Sequence, residues 1–486
     1  MNMIAAIFFE HRLLRRSKEL LAMTELLLFY SIILFLPTQL GLHFWPEYSK
    51  VLGLRIDYLS PTIYMTDVLI LLLIVLWLID SFLSLRGVSW WRSNLIPVIL
   101  NLSFDSAQAL SLPNGIQNLL RLLRRPALFL TPRNDICYFI FFLSLGTGIV
   151  FSKFPQLGLY GFIKLLELIF FGYYTALKFR FSNNRLITLF SIGVVFESFL
   201  ATAQYLHQGS LQGIFYFFGE RFFNPQTPGI ANASLNGALV LRPYGTFSHP
   251  NVLAGYLLIV LQMLLNTHTR SVIVEKRSLT SFGMTSIVTF GSVALFLTMS
   301  RTAVLLYILI FAYRLIVQLR TKIKTYWLIG LFAFLLFGLF FFPLFSRFSI
   351  QLSDESIVYR TELNKAALSI FRNHPLFGVG LNNFLINLPD YISSNTKTIL
   401  LQPVHNIYLL LLAETGIVGF TFFIWFILNA VRHSGLSRFN RGAPVATLLF
   451  TILIIGLFDH YFLTLQQGQL LFSFILGLCY NKNNGY

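Results

Sequence analysis

The second half of this 486-residue sequence is organised around the stretch Pro403-Val404-His405-Asn406-Ile407-Tyr408, which continues through an apolar run to Glu414, Gly416 and Gly419. It begins with an imidazole and a carboxamide and then becomes apolar, which is typical of a transmembrane helix whose first turn lies at the water boundary. Just before it, residues 346–402 form a long polar segment with three arginines. A histidine at a helix mouth beside such a loop favours chemistry on an anionic, lipid-held substrate.

The composition is that of a polytopic membrane protein. Of all residues 56% are hydrophobic and only 11% are charged, with a mean hydropathy of +0.70, whereas soluble domains carry about 25% charged residues. The net charge of +17 lies in short loops between apolar runs, which is a topology signal rather than a basic surface for nucleic acid. We therefore expect no nucleic-acid partner. Cys137 and Cys479 have neither the spacing nor the context of a metal site or a disulfide framework.

Apolar runs of roughly 20 residues predict about twelve transmembrane helices in an all-α fold. Because most basic residues then lie in the alternate loops, both termini and the basic segment 85–133 are predicted to be cytoplasmic. The first span is expected to be retained rather than cleaved, and 85–133 is expected to contain an interfacial amphipathic helix on anionic lipid. The predicted spans are 21–39, 63–84, 134–152, 157–177, 186–206, 251–267, 282–299, 302–319, 326–345, 404–430, 443–463 and 465–480.

This topology places four polar clusters on the outer face: loop 207–250, the Ser300-Arg301 turn, loop 346–402 and the mouth of the 404–430 span. In the first, Arg242 precedes Pro243-Tyr244-Gly245 and the sequence His249-Pro250-Asn251. Arg242 either binds a phosphate or sugar or belongs to a rigid turn. For His249 and Asn251 we favour the structural interpretation, with Asn251 capping the next helix.

Arginines mark the next two clusters. Arg301 lies so close to the hydrocarbon that it must snorkel, pair or face a wet cavity, and we favour a functional role. Residues from Val358 to Arg372 have helical apolar spacing and end at His374-Pro375, which predicts a surface helix. Arg360 and Arg372 on it suit bidentate phosphate contact, although a solvated helix face explains Arg372 equally well.

His405 is the strongest candidate for a reactive group. Its imidazole is the natural base for a hydroxyl nucleophile at neutral pH, and fixed arginines stabilise the charge of a departing diphosphate. Glu414 lies about 13 Å further along the helix, too far for a direct dyad, so we expect a structural role for it. The sequence has no metal signature and no P-loop, so we predict neither a metal nor another cofactor.

Together these motifs resemble the O-antigen ligase/polymerase superfamily. The resemblance is carried by Arg242-Pro243-Tyr244-Gly245-Thr246-Phe247-x-His249-Pro250-Asn251, the Ser300-Arg301 turn, Arg360 with Pro375-x-x-Gly378-x-Gly380, and His405-Asn406-x-Tyr408 through Glu414-x-Gly416-x-x-Gly419. It covers about 185–480, so the predicted division is a domain of this kind at 185–480, with the outer loop 346–402, preceded by transmembrane helices at 1–184.

The resemblance implies a metal-independent glycosyltransferase of GT-C architecture in the bacterial cytoplasmic (inner) membrane. Such an enzyme takes a glycan from an undecaprenyl-diphosphate-linked donor at the periplasmic or outer face. It passes the glycan to a glycan, lipid or protein acceptor in surface polysaccharide (O-antigen, lipopolysaccharide) synthesis, and ligase and polymerase both remain open. The implied catalytic residues are His405, Arg360 and Arg301, and the implied substrate-binding residues are Arg242, Arg372, Asn406 and Tyr408; either Arg242 or Arg301 matches the family's first functional arginine.

The rival interpretation is a polysaccharide or lipid transporter or flippase. A transporter is expected to have polar residues and broken helices near the bilayer midplane, and related halves. Here the ionisable residues of interest lie at one face, and the two halves of the sequence show no similarity. We therefore favour the glycosyltransferase.

Overall fold

The computed structural model describes residues 19–94, 135–179, 184–235, 238–275, 278–319, 355–392, 401–434 and 444–481. The chain divides into two compact units, one of Met1–Ile32 and Thr66–Ile140 and one of Ile33–Met65 and Phe141–Tyr486. Every residue of the site described below belongs to the second unit.

Helices dominate the described part of the chain. Each predicted span contains one of them, except 326–345, which lies outside the described residues together with 95–133 of the predicted basic segment. The helices are α1 (19–34), α2 (Met65–Asn94), α3 (Asp135–Val150), α4 (Pro155–Lys178), α5 (Asn184–His207), α6 (Pro250–Glu275), α7 (Ser278–Leu297), α8 (Arg301–Leu319), α9 (Glu355–Asn373), α10 (Phe384–Asn387), α11 (Ile407–His433), α12 (Pro444–Ile455), α13 (Tyr461–Thr464) and α14 (Gln466–Tyr480).

Several helices have the length and hydropathy needed to cross a bilayer. Among the described residues, four stretches combine a length of at least 18 residues with sufficient hydropathy, namely Met65–Phe82, Pro155–Lys178, Asn184–His207 and Ile407–His433, and shorter apolar stretches include Pro250–Asn266. The mostly helical structure is therefore consistent with a multi-pass membrane protein. The number twelve and the GT-C architecture remain predictions.

The structure also contains short strands, so the prediction of a purely α-helical fold was incomplete. They form three two-stranded antiparallel sheets. Two of them lie between α1 and α2, where β1 (Gly41–His43) pairs with β4 (Thr62–Tyr64) and β2 (Lys50–Val51) pairs with β3 (Leu54–Arg55). The third lies between α5 and α6 and pairs β5 (Asn232–Leu235) with β6 (Ala238–Leu241).

The predicted span 443–463 was wrong, because α12 ends at Ile455. The backbone of Ile407 donates to the carbonyl of Gly456 (2.8 Å), and a Cβ on Gly456 would overlap the Ile407 side chain. The start of α11 thus occupies the space at the end of α12 and satisfies one of its terminal carbonyls. The chain then leaves the helix and carries Asp459 and His460 into a loop before α13.

Two glycine motifs that lie far apart in sequence interlock in the middle of α11. Gly416 has a φ of +62° inside the helix, which favours glycine. The break lets Val379 N donate to Ala413 O (2.9 Å) and Gly380 N to Glu414 O (2.9 Å). Glu414 Oε1 accepts from the backbone N–H of Phe384 (3.3 Å), which confirms its structural role.

The described part of the segment before α11 is packed rather than loose. The predicted surface helix is confirmed as α9, which ends at Asn373, just before His374-Pro375. Its buried face, with α10 and the start of α11, forms one apolar cluster that includes Leu363, Ile370, Phe384, Leu388 and Leu410. This cluster fixes α9 against the mouth of α11.

Candidate active site

Three titratable side chains meet at the mouth of α11. His405 lies two residues before the helix, and Asp459 and His460 lie in the loop between α12 and α13. One nitrogen or carboxylate oxygen from each lies within 4.8 Å of the other two. The rings of His405 and His460 meet edge to face with centroids 5.1 Å apart. His405 Nδ1 is buried and has no hydrogen-bond partner among the described residues.

A hydrogen-bonded chain connects Asp459 to Arg242. The Asn251 amide donates through Nδ2 to Asp459 Oδ2 (2.9 Å) and accepts through Oδ1 from Arg242 Nη2 (2.6 Å). Arg242 Nε donates to the carbonyl of Thr298 (2.8 Å), just before the Ser300-Arg301 turn. Because a carboxylate only accepts and a guanidinium only donates, these neighbours fix the orientation of the Asn251 amide.

The loop that carries Arg242 is clamped from α5. Gln204 Oε1 accepts from the backbone N–H groups of Tyr244 (2.9 Å) and Gly245 (2.8 Å). Glu197 accepts from Thr246 N (3.0 Å) and Thr246 Oγ1 (2.6 Å). Since unmade buried hydrogen bonds are costly, these two side chains hold the loop in one position.

His249 caps the N-terminus of α6. Its Nδ1 accepts from the backbone N–H of Asn251 (3.1 Å), so the cap that we predicted for Asn251 is made by the preceding imidazole. Burial of the ring and the nearby charge of Arg242 lower its pKa to about 3. His249 is therefore neutral at physiological pH and has a structural role, as predicted.

The electrostatics of the cluster favour a neutral His405 beside an ionised Asp459. Burial lowers the pKa of His405, and the charge of Arg360 lowers it further, while Asp459 acts in the opposite direction. Burial by itself raises the pKa of Asp459, but electrostatic interactions with the surrounding histidines and with Arg360 outweigh it and lower that pKa overall. A neutral imidazole beside a carboxylate is the arrangement that a general base requires.

His460 is held as a neutral ring between two partners. Its Nδ1 lies 2.6 Å from Thr464 Oγ1, and the ring of Tyr58 packs edge to face against it at 5.5 Å. Burial and the neighbouring His405 lower the pKa of His460 to about 3. Burial and the charge of Asp459 raise the pKa of the Tyr58 hydroxyl well above its usual value, so that group also stays protonated.

The comparison with known families agrees with this site. Residues 286–424 match the family model described as O-antigen ligase. The matched segment is thus similar to O-antigen ligase domains. The match confirms the resemblance seen in the sequence and implies a glycan-transfer enzyme of the ligase type. None of the curated proteins compared with the chain matches it.

The ligase match contains Arg301, Arg360 and His405, but it includes neither Arg242 before it nor the Asp459-His460 pair after it. The fold therefore completes the cluster with residues from both sides of the matched segment. Arg360 is half-buried on α9, within electrostatic range of His405. Arg301 begins α8, three residues after the carbonyl that Arg242 contacts.

The other predicted binding residues lie outside the cluster or are engaged in the fold. Arg372 is exposed near the end of α9, about 18 Å along the helix from Arg360. Asn406 caps α11 by accepting from Tyr408 N (2.9 Å) and Leu409 N (3.0 Å), and the Tyr408 hydroxyl donates to the carbonyl of Leu453 (2.9 Å). These contacts support structural roles for Asn406 and Tyr408.

Sequence reasoning missed Asp459, His460 and Tyr58. The first two lay within a predicted span, where an acid next to an imidazole is costly. This pair of adjacent ionisable residues in an apolar run was the signal that could have identified them. Tyr58 lies in the strand-bearing segment between α1 and α2, where nothing in the pattern set it apart.

Among the described residues, His405, Asp459 and His460 form a cluster that could hold a metal ion. Two imidazoles and a carboxylate are ligands that zinc accepts, and His405 Nδ1 has no partner among the described residues. Against this, Asp459 already accepts from Asn251 and from the backbone N–H of His460 (2.9 Å), and Arg360 adds positive charge nearby. The prediction of a metal-independent enzyme therefore stays a prediction.

Proposed function

We propose that this chain transfers a glycan from a polyisoprenyl-diphosphate-linked donor, of the undecaprenyl type, to an acceptor hydroxyl at the outer face of the bacterial cytoplasmic membrane. The observation that carries the proposal is the buried imidazole of His405, whose Nδ1 has no hydrogen-bond partner among the described residues and one of whose nitrogens lies within 4.8 Å of an Asp459 carboxylate oxygen. His405 itself lies in the segment that matches the O-antigen ligase family. A ligase and a polymerase both use this transfer step and differ in the acceptor, so the proposal covers both.

In the proposed step, His405 accepts the proton of the acceptor hydroxyl. The hydroxyl oxygen forms a bond to the anomeric carbon of the donor sugar as the bond from that carbon to the diphosphate oxygen breaks. The electron pair of the broken bond leaves with the diphosphate, and the proton stays on His405 until it is released to water. Asp459 stabilises the imidazolium that forms, as the carboxylate of a catalytic triad does.

Charge on the leaving diphosphate is stabilised by arginine. Arg360, whose charge acts on His405, is the first candidate, and Arg301 is the second. Arg242 donates to Thr298 O and Asn251 Oδ1, which favours a positioning role for it over the predicted substrate contact. The donor's own diphosphate bond supplies the driving force, so the step needs no nucleotide.

The test replaces His405 by Gln, which keeps hydrogen-bonding capacity but is not a base near neutral pH. Glycan transfer by His405→Gln should fall by a factor of about 10² to 10⁴, the range for loss of a general base, while donor binding is retained. His374→Gln removes an exposed imidazole from the same outer segment and should be nearly normal. Because burial lowers the pKa of His405, transfer by the unmutated protein should decline only below the usual imidazole pKa of about 6.5.

The measurement is transfer in proteoliposomes by variants matched for folded protein, with donor binding assayed separately. A chelator should leave the rate unchanged if the imidazole acts without a metal. Near-normal transfer by His405→Gln would refute the base role and leave His405 as a structural residue.

A further inference from the structure

Residues 211–222 form an excursion from loop 207–250 whose two ends lie side by side at Ser210 and Phe223, which we call the neck. At the neck, Ser210 N donates to Phe223 O (3.0 Å) and Phe223 N donates to Ser210 Oγ (3.1 Å). The excursion between them contains a 3₁₀ helix, Gly213–Phe218. Apolar and aromatic residues make up most of it, which is unusual for a loop in water.

The excursion packs along the side of α5 rather than above its end. The rings of Phe218 and Phe196 lie 5.3 Å apart, and those of Phe215 and Phe199 lie 6.3 Å apart. The span Asn184–His207 has 24 residues, hence a length of about 36 Å, against a hydrocarbon core of about 30 Å. Phe199 lies eight residues before the end of α5, about 12 Å down the helix. The helix is thus about 6 Å longer than the hydrocarbon core is thick. Even if all of this excess projected beyond the core at the C-terminal end of α5, Phe199 would still lie inside the hydrocarbon.

Side chains satisfy the backbone groups at both ends of the excursion. Glu220 accepts from Leu211 N (2.8 Å) and Gln212 N (2.6 Å). At the other end, Thr38 Oγ1 donates to Phe218 O (2.9 Å) and Gln39 Nε2 donates to Gly219 O (3.0 Å). Irregular backbone is tolerated at membrane depth only where the protein meets its hydrogen-bonding needs, and here side chains meet the needs of four backbone groups.

The outward side of the excursion is apolar and exposed. The side chains of Ile214, Tyr216, Phe217 and Phe222 are 62–71% exposed, and this surface continues onto α5 through the exposed Phe199 and Leu206. We propose that residues 211–222 re-enter the membrane and contact the lipid hydrocarbon of the leaflet on the side of the active site. The occupant is bilayer lipid, because the surface is continuous with the membrane-facing side of a spanning helix.

The re-entrant segment is also tied to the active-site loop. Arg221, at the neck, donates through Nη2 to the carbonyl of Ser248 (2.6 Å), next to His249. The lipid-contacting surface therefore ends beside the loop that holds Arg242 and Asn251. A lipid-borne substrate would meet this surface on its way to the site, a consequence that rests on the proposed function, whereas the re-entry itself does not.

The test measures membrane depth with a nitroxide spin label in lipid nanodiscs. The label is placed by Phe217→Cys in a chain whose exposed Cys137 is replaced by Ser; Cys479 is buried and stays. Collision rates with oxygen, which partitions into lipid, and with a water-soluble nickel chelate give the depth. Phe217 is exposed, so labelling it does not disturb packing.

Phe199→Cys on α5 serves as the lipid-facing reference and Gln226→Cys, in the same loop beyond the neck, as the aqueous reference. The Phe217 label should match Phe199, with a high oxygen and a low nickel collision rate. A label that matches Gln226 would overturn the proposal by placing the segment in water. Low rates for both reagents would also overturn it, since they would mean burial against protein. Neither result depends on transfer activity, so the outcome is separate from that of the His405 test.

Discussion

Replacement of Asp459 by Asn tests the electrostatic part of the site most sharply. Asn keeps the size of the side chain and one of the two acceptor oxygens that Asn251 and the backbone N–H of His460 use, but it removes the charge. The reactive atoms of Asp459 and His405 lie within 4.8 Å of each other. At an effective dielectric constant of about 20, unit charges at that distance attract by about 3.5 kcal/mol.

This attraction acts only after His405 has gained the proton, so its loss raises the barrier rather than weakening donor binding. Since about 1.4 kcal/mol corresponds to a tenfold change in rate, Asp459→Asn should slow transfer about 10²-fold or more. The pH dependence should move as well. Asp459 raises the pKa of His405, so without it that pKa falls further. The neutral base then persists to lower pH, and the acidic limb of the rate profile shifts to lower pH.

The assay is transfer rate against pH in proteoliposomes, with Asp390→Asn as the matched control. Asp390 pairs with Lys153 at 2.5 Å, but both side chains are about half exposed, and such pairs are worth about 1 kcal/mol or less. Its replacement should change neither the rate nor the profile. A merely structural Asp459 would lower the rate of its Asn variant without moving the acidic limb. If the acidic limb of the Asp459→Asn profile stayed in place or moved to higher pH, the proposed charge interaction between Asp459 and His405 would be refuted.

Two further predictions concern the arginines and the glycine break. Arg360→Lys and Arg301→Lys should each lose most transfer activity, because an ammonium cannot reproduce the planar two-point contact of a guanidinium with phosphate. Arg372→Lys should be nearly normal, and equal losses in all three would indicate only a diffuse positive field. Gly416→Ala should destabilise the protein by about 1–3 kcal/mol, since the residue has a φ of +62° and a Cβ would overlap the backbone packed against it. Gly146→Ala, with open space around its Cβ, should leave the thermal unfolding midpoint nearly unchanged or slightly raised. If both glycine variants lost the same amount of stability, the argument from tight packing around Gly416 would be contradicted.

The helices and the main motifs could be predicted from the sequence because their signals are local. A run of apolar residues satisfies its own backbone hydrogen bonds only as a helix, and so every predicted span that the structure describes contains a helix, although the helix in 443–463 ends early at Ile455. The end of α9 at His374-Pro375 is equally local. His405 could be selected because a polar residue at the edge of an apolar run is costly unless it has a purpose, and Arg242 and Arg360 because guanidinium groups suit contact with phosphate.

The partners of these residues could not be predicted, because they come from distant parts of the chain. Asp459 meets Asn251 across more than 200 positions, and Tyr58 reaches His460 from the segment between α1 and α2. The apolar run that contains Asp459 and His460 reads as one continuous helix. Only the approach of Ile407 to Gly456 ends that helix early and turns the two side chains towards His405.

Hydropathy alone thus determined that the chain is helical and where most helices lie, and the motifs determined which segments carry reactive groups. Tertiary packing decided which groups meet and which are consumed in the fold, as Asn406 is by its cap and Arg242 by Thr298 and Asn251. It also directed residues 211–222 back along α5. The physical reason is that a hydrogen bond or a charge pair depends on distance in space, whereas a sequence pattern records only distance along the chain.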